Sequence, residues 1–269
     1  VIDTRWQVAA YIFVSVVLWM VAAQLFQRRI RISWISTLKE GWAASIMRFV
    51  YFVGLPYAAL ILGVMPARYM GLVGLERWPA EQSSLLGSGF ASAVRQALSM
   101  VQGSLSGVIL DWLPDVEKVA GLVVIMFLVL GATWLGYGYF RRGVISDLGI
   151  DLPSLPGEMR TSVVQIAYQG IHWSFYRGAV WLLIGDLYLA VVGGILLVSG
   201  EWILDAGWSN KTQHALWREA RLVDASILIA TSVVFLFVPN LWLLLPVHWV
   251  LAVVTRRVLA LQWRAASSS

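Results

Sequence analysis

The chain has 269 residues, of which 59% are hydrophobic and only 13% charged, with a mean hydropathy of +0.74. Soluble domains carry about 25% charged residues, so this composition excludes an ordinary soluble fold. The net charge of +5 sits in short loops between apolar runs and is no sign of nucleic-acid binding, and the absence of Cys removes disulfides, thiolate nucleophiles and thiolate metal sites.

The fold class expected is all-α: a polytopic transmembrane helical bundle in the lipid bilayer, one integral domain over residues 1–269. The first apolar run, 8–26, is too long for a signal-peptide core and reads as a retained span. Arg28, Arg29, Arg31 and Lys39 follow it. The excess of positive charge makes that loop cytoplasmic and the N-terminus external. A second span is expected over 41–65, with Arg48 near enough to the membrane edge to snorkel.

Residues 66–118 read as an external excursion. Within it, Leu86, Phe90, Val94, Leu98, Val101, Leu105 and Val108 recur at steps of three and four. That spacing predicts an amphipathic helix over 84–110 lying at the interface. An eighth crossing there would place Arg141 and Arg142, at the end of the third span (119–140), on the outside; the interfacial reading keeps them inside.

The turn-rich segment 151–157 leads to a fourth span, 161–184, joined at Gly185-Asp186 to a fifth, 187–204. The polar loop 205–221, with Lys211, His214, Arg218 and Arg221, is expected inside. The sixth and seventh spans, 225–238 and 241–254, break at Pro239-Asn240. The sixth is short against the usual requirement of about 20 residues. Arg256 and Arg257 then place the C-terminus in the cytoplasm. Seven spans in a prokaryotic-type plasma or internal membrane satisfy every basic cluster.

Candidate functional residues concentrate in the fourth span. An arginine at the centre of an apolar helix costs roughly 2.5–3.5 kcal/mol on insertion scales, so Arg177 is expected to face the bundle interior. Trp173 and Arg177 are four apart and can form a cation–π pair; His172 and Tyr176 share the neighbouring face. Glu201 and His248, from the fifth and seventh spans, would complete a buried His–Glu–His–Arg cluster. The plainest reading is that each is a polar residue satisfied by a neighbouring helix. Two His and one Glu would also suit zinc, and His172 and His248 are the residues that haem or a chlorophyll-type pigment would use. No cofactor is predicted.

The stretch Phe175-Tyr176-Arg177-Gly178 resembles the end of the first motif of the CPBP family, the intramembrane CAAX proteases and bacteriocin-processing enzymes. That motif is Glu-Glu-x-x-x-Arg, and here His172 and Trp173 occupy the two glutamate positions. Leu241-Trp242 followed by His248 is similar to the family's third motif, with Ala252 where Asn or Asp is usual. The second motif falls at 197–201, where Glu201 stands in place of His. The resemblance covers residues 160–257. It implies a protease-type bundle whose activating glutamates are gone, since a carboxylate base must sit unprotonated beside the attacked bond. The expected role is therefore a non-catalytic scaffold or accessory subunit among membrane-protein partners. A divergent CAAX-type endopeptidase using His172, Glu201 and His248 is the alternative, and a haem- or pigment-binding subunit a third.

Overall fold

Long apolar runs taken out of water can close their backbone hydrogen bonds only within a helix or a closed barrel, and these runs lack the alternation a barrel strand needs. The structure, a computed structural model, describes residues 4–27, 40–72, 112–148, 162–209 and 215–267. Among them every regular element is a helix: α1 (Thr4–Gln27), α2 (Glu40–Phe49), a π-helical turn (Val50–Gly54), α3 (Leu55–Ile61), a 3-10 turn (Ala67–Met70), α4 (Leu113–Leu148), α5 (Val163–Ile184), α6 (Leu187–Ser209), α7 (Ala215–Phe237) and α8 (Leu241–Ser267).

Among the described residues, four stretches are long and apolar enough to cross a membrane: Leu113–Phe140, Leu187–Leu204, Glu219–Phe237 and Leu241–Leu261. They make the chain a helical integral membrane protein. Two shorter apolar stretches, Trp6–Leu18 and Ser45–Ile61, accompany them. Phe13, Leu128, Tyr139, Tyr188, Leu196 and Ile203 project outward, as side chains solvated by lipid do.

Several boundaries differ from expectation, each for a local reason. The second expected span is one helical run over 40–61, whose middle widens into a π turn. Pro56 lacks the N–H that an α-helical ladder would donate to the carbonyl four residues back, and the backbone opens just before it, with Leu55 N–H bonded to Val50 O. The sixth span is not short. Arg218 and Arg221, expected in the loop, belong to α7 together with Glu219 and Asp224, and Asp224 is buried against Arg256 of α8 at 2.9 Å. The expected loop 205–221 is correspondingly helical at both ends.

Residues 66–72 open the stretch read as an external excursion, yet they are packed into the bundle. Ala67, Met70 and Leu72 are fully buried. Ser174, near the middle of α5, donates its hydroxyl to Met70 O, and Leu241 N–H donates to Gly71 O at 2.7 Å. Gly71 has φ +73, and a Cβ there would lie 2.8 Å from Pro239 O; no other residue fits both demands. The amphipathic pattern at 84–110 and the turn at 151–157 lie outside the described residues.

At the centre stands α5. It packs on α1, α6, α8 and both irregular turns, and its run from His172 to Val180 is buried without interruption. The turn to α6 is closed by Gly185 in the left-handed region (φ 82), whose N–H bonds Trp181 O at 2.7 Å. Asp186 then caps α6 through Leu189 N–H at 2.8 Å. Gly194 lets α6 lie directly on α5: a Cβ there would meet Arg177 Cγ at 2.6 Å.

The candidate functional site

A buried carboxylate is tolerable only when its lone pairs are taken up by donors, and Glu201 of α6 meets that condition. Tyr51 and Tyr176 both donate their hydroxyls to its Oε1. His172 Nε2 lies 3.2 Å from Oε2 and 3.0 Å from the Tyr51 hydroxyl. With that hydroxyl proton already committed to Glu201, the pattern requires His172 to carry its proton on Nε2 and donate it. Ser15 of α1 closes the chain by donating to the Tyr176 hydroxyl oxygen at 3.2 Å. All of these side chains are buried.

Secondary structure explains the meeting. His172 and Tyr176 are one α-helical turn apart on α5 and their rings lie 4.4 Å apart. The π turn supplies Tyr51, whose ring is 4.7 Å from the imidazole, with Phe52 at 5.2 Å on another side. The cluster thus ties α1, the π turn, α5 and α6 together. His172 Nδ1 is buried without a hydrogen-bond partner.

His172 and Glu201 therefore meet as expected, but His248 does not join them. Its imidazole stacks on Trp173, centroids 4.7 Å apart and 15° from parallel. Among the described residues no three His, Cys, Asp or Glu side chains converge as a metal site, so the His172–Glu201–His248 set is not assembled for zinc. Nor do the histidines fit a macrocycle: aromatic rings enclose His172, and Trp173 covers a face of His248.

Arg177 lies apart from the carboxylate as well. Its guanidinium sits over Phe235 of α7, 4.5 Å from the ring centroid, whereas Trp173, the partner expected from helical spacing, is engaged with His248. Nη1 donates to Ser232 Oγ at 3.2 Å. Nε and Nη2 are buried and have no acceptor.

Tyr51 and Ser15 were not among the residues singled out in the sequence. Tyr51 carries one local signal, a position five residues before a proline inside an apolar helix; Ser15 carries none, being a single hydroxyl in an unbroken apolar run.

No family model matches the chain, and no curated protein or solved structure matches it either.

Proposed function

We propose that this protein is a non-catalytic subunit of a membrane complex, built on a bundle resembling that of the CPBP proteases. The observation that carries the reading is the saturation of Glu201. Two hydroxyls on Oε1 and an imidazole on Oε2 hold the carboxylate as a shared acceptor, which counts against a role as a base toward a water, and His248 and Arg177 are turned to other partners. A hydrolytic site needs an unoccupied base within hydrogen-bond reach of the attacking water; a polar staple between helices needs the opposite, and that is the geometry here.

A place among partner subunits is supported by the outward face of α4. Gly121, Ala132 and Gly136 are small and exposed, or have open space where a side chain would stand, and small residues let transmembrane helices approach closely. The topology that goes with this reading has seven spans, the N-terminus outside and the C-terminus in the cytoplasm, with α5 crossing despite its polar residues because its neighbours cover them.

Purification in mild detergent tests the proposal. A stoichiometric second protein is expected; a solitary monomer in every mild detergent refutes it. The His172–Glu201 contact favours one competing reading, a peptidase with a rearranged site. Hydrolysis of a prenylated peptide by the wild type, lost in Glu201→Gln, would replace the scaffold with that enzyme.

A further inference from the structure

The most unusual charge in the bundle is the one the Glu201 cluster does not use. Arg177 is 1% exposed. A guanidinium stays protonated, and leaving it buried without an opposite charge costs several kcal/mol. Ser232 is neutral and satisfies one N–H; the Phe235 face offers only a quadrupole. The carboxylates of α6 and α7 and of the turn after α5 are engaged elsewhere: Glu201 with Tyr51, Tyr176 and His172, Asp224 with Arg256 and Arg221, Glu219 with Tyr137, Asp186 with the start of α6. Among the described residues, none forms an ion pair with Arg177.

Two free donors, Nε and Nη2, lie on one edge of the guanidinium. That edge is the pair that receives both oxygens of a carboxylate or phosphate in a bidentate fork. Depth also matters. Arg177 lies about 10 Å along the helix axis from the C-terminus of α5 at Ile184, at ~1.5 Å per residue, and Ser232 and Phe235 are in the last turns of α7. The same end of the bundle holds Asn240, whose Nδ2 is a further buried donor with no acceptor, while its Oδ1 accepts from Trp242 and Leu243 N–H at the start of α8. Arg68, exposed on the 3-10 turn that packs on α5, adds positive charge near that end.

We infer that Arg177, with Ser232, is the receptor for a single oxyanion group, a carboxylate or phosphate, which enters from the end of the bundle formed by the 184–187 and 238–241 turns. The group is carried either by a free small anion or by the headgroup of an anionic lipid. This does not rest on the non-catalytic reading, since the Glu201 cluster takes no part in it.

The test is the thermal midpoint of the purified protein under two conditions. In neutral detergent, sodium phosphate is exchanged for sodium chloride at constant ionic strength. In nanodiscs, phosphatidylcholine alone is compared with phosphatidylcholine containing phosphatidylglycerol. A ligand that binds only the folded state raises the midpoint progressively with its concentration, so a concentration-dependent rise is expected in at least one condition. A rise with phosphate in detergent identifies a free anion; a rise only with phosphatidylglycerol identifies the headgroup. Arg177→Met is expected to abolish the rise. Should that variant fail to fold, Ser232→Ala leaves the cation in place and is expected to shift the half-saturating concentration upward several-fold. Equal midpoints in phosphate and chloride together with equal midpoints in both nanodiscs overturn the inference, as does a rise that Ser232→Ala and Arg177→Met both leave unchanged.

Discussion

Replacing Glu201 by alanine removes the one acceptor on which Tyr51, Tyr176 and His172 converge. Two magnitudes bracket the effect. Interhelical hydrogen bonds in membrane bundles average about 0.6 kcal/mol, which puts three at ~2 kcal/mol. Hydrogen bonds to a charged group contribute about 1.5–3 kcal/mol each, which puts three above ~4 kcal/mol. The truncated site is not wholly orphaned, because Tyr51 still faces His172 at 3.0 Å and Ser15 still faces Tyr176 at 3.2 Å. The expected destabilisation is therefore between the two, about 3–4 kcal/mol. Glu201→Gln keeps an acceptor for both tyrosines but turns an amide N–H toward His172 Nε2, which can accept it by moving its proton to the unpartnered Nδ1, so about 1–2 kcal/mol is expected. Equilibrium unfolding by titrating a denaturing detergent into mild micelles measures both. An alanine variant within about 1 kcal/mol of wild type, or no worse than the glutamine variant, would refute the staple.

Other sites make sharper geometric demands. Gly178→Ala would bring a Cβ to 2.6 Å from the Tyr69 backbone oxygen, and overpacking of that kind costs about 1–3 kcal/mol; Gly131→Ala, with open space around it, is the control and should leave the same unfolding transition in place or raise it slightly. Breaking the Asp224–Arg256 pair by Arg256→Met should destabilise by less than the about 3–5 kcal/mol of a fully orphaned buried charge, because Arg221 stays 3.7 Å from Asp224, and adding Asp224→Asn should recover much of the loss; detergent unfolding of the single and double variants reads the difference. Asn240→Ala removes the side chain capping α8 at Trp242 and Leu243 and should cost about 1 kcal/mol, with faster amide exchange confined to the first turn of α8.

Class and most helix positions were legible in the composition, because a hydrophobic fraction of 59% with few charges leaves little else to build. Charge alone does not mark a loop in this chain. Arg218 and Arg221 look like a connection when lipid is assumed on every side, but a helix whose polar residues meet a partner can carry them inward, as the neighbouring Asp224 does with Arg256. Spacing along one helix has the same limit. The i,i+4 relation correctly joined His172 to Tyr176, since both rings are fixed by one backbone. It assigned Arg177 to Trp173 on equal grounds, and there the choice belonged to α7 and α8, which offered Phe235 to one and His248 to the other.

The central helix carries that argument furthest. Hydropathy measures how well a segment suits lipid, and α5 is not among the four stretches that pass by length and composition. Its polar residues are the reason: His172, Ser174, Tyr176 and Arg177 fall within six positions. Those same residues are among the most enclosed in the described structure, each at most 1% exposed. A helix surrounded by α1, α6, α8 and the two irregular turns meets little lipid, so it can afford the groups that the peripheral α4 cannot. The irregular backbone of residues 66–72, a 3-10 turn and its flanks, is held beside it for a related reason, since Ser174 and the start of α8 supply its hydrogen-bond partners. In such a bundle a helix too polar to face lipid can stand at the centre, and its unmatched groups, here Nε and Nη2 of Arg177 and Nδ1 of His172, are where a ligand or partner would have to act.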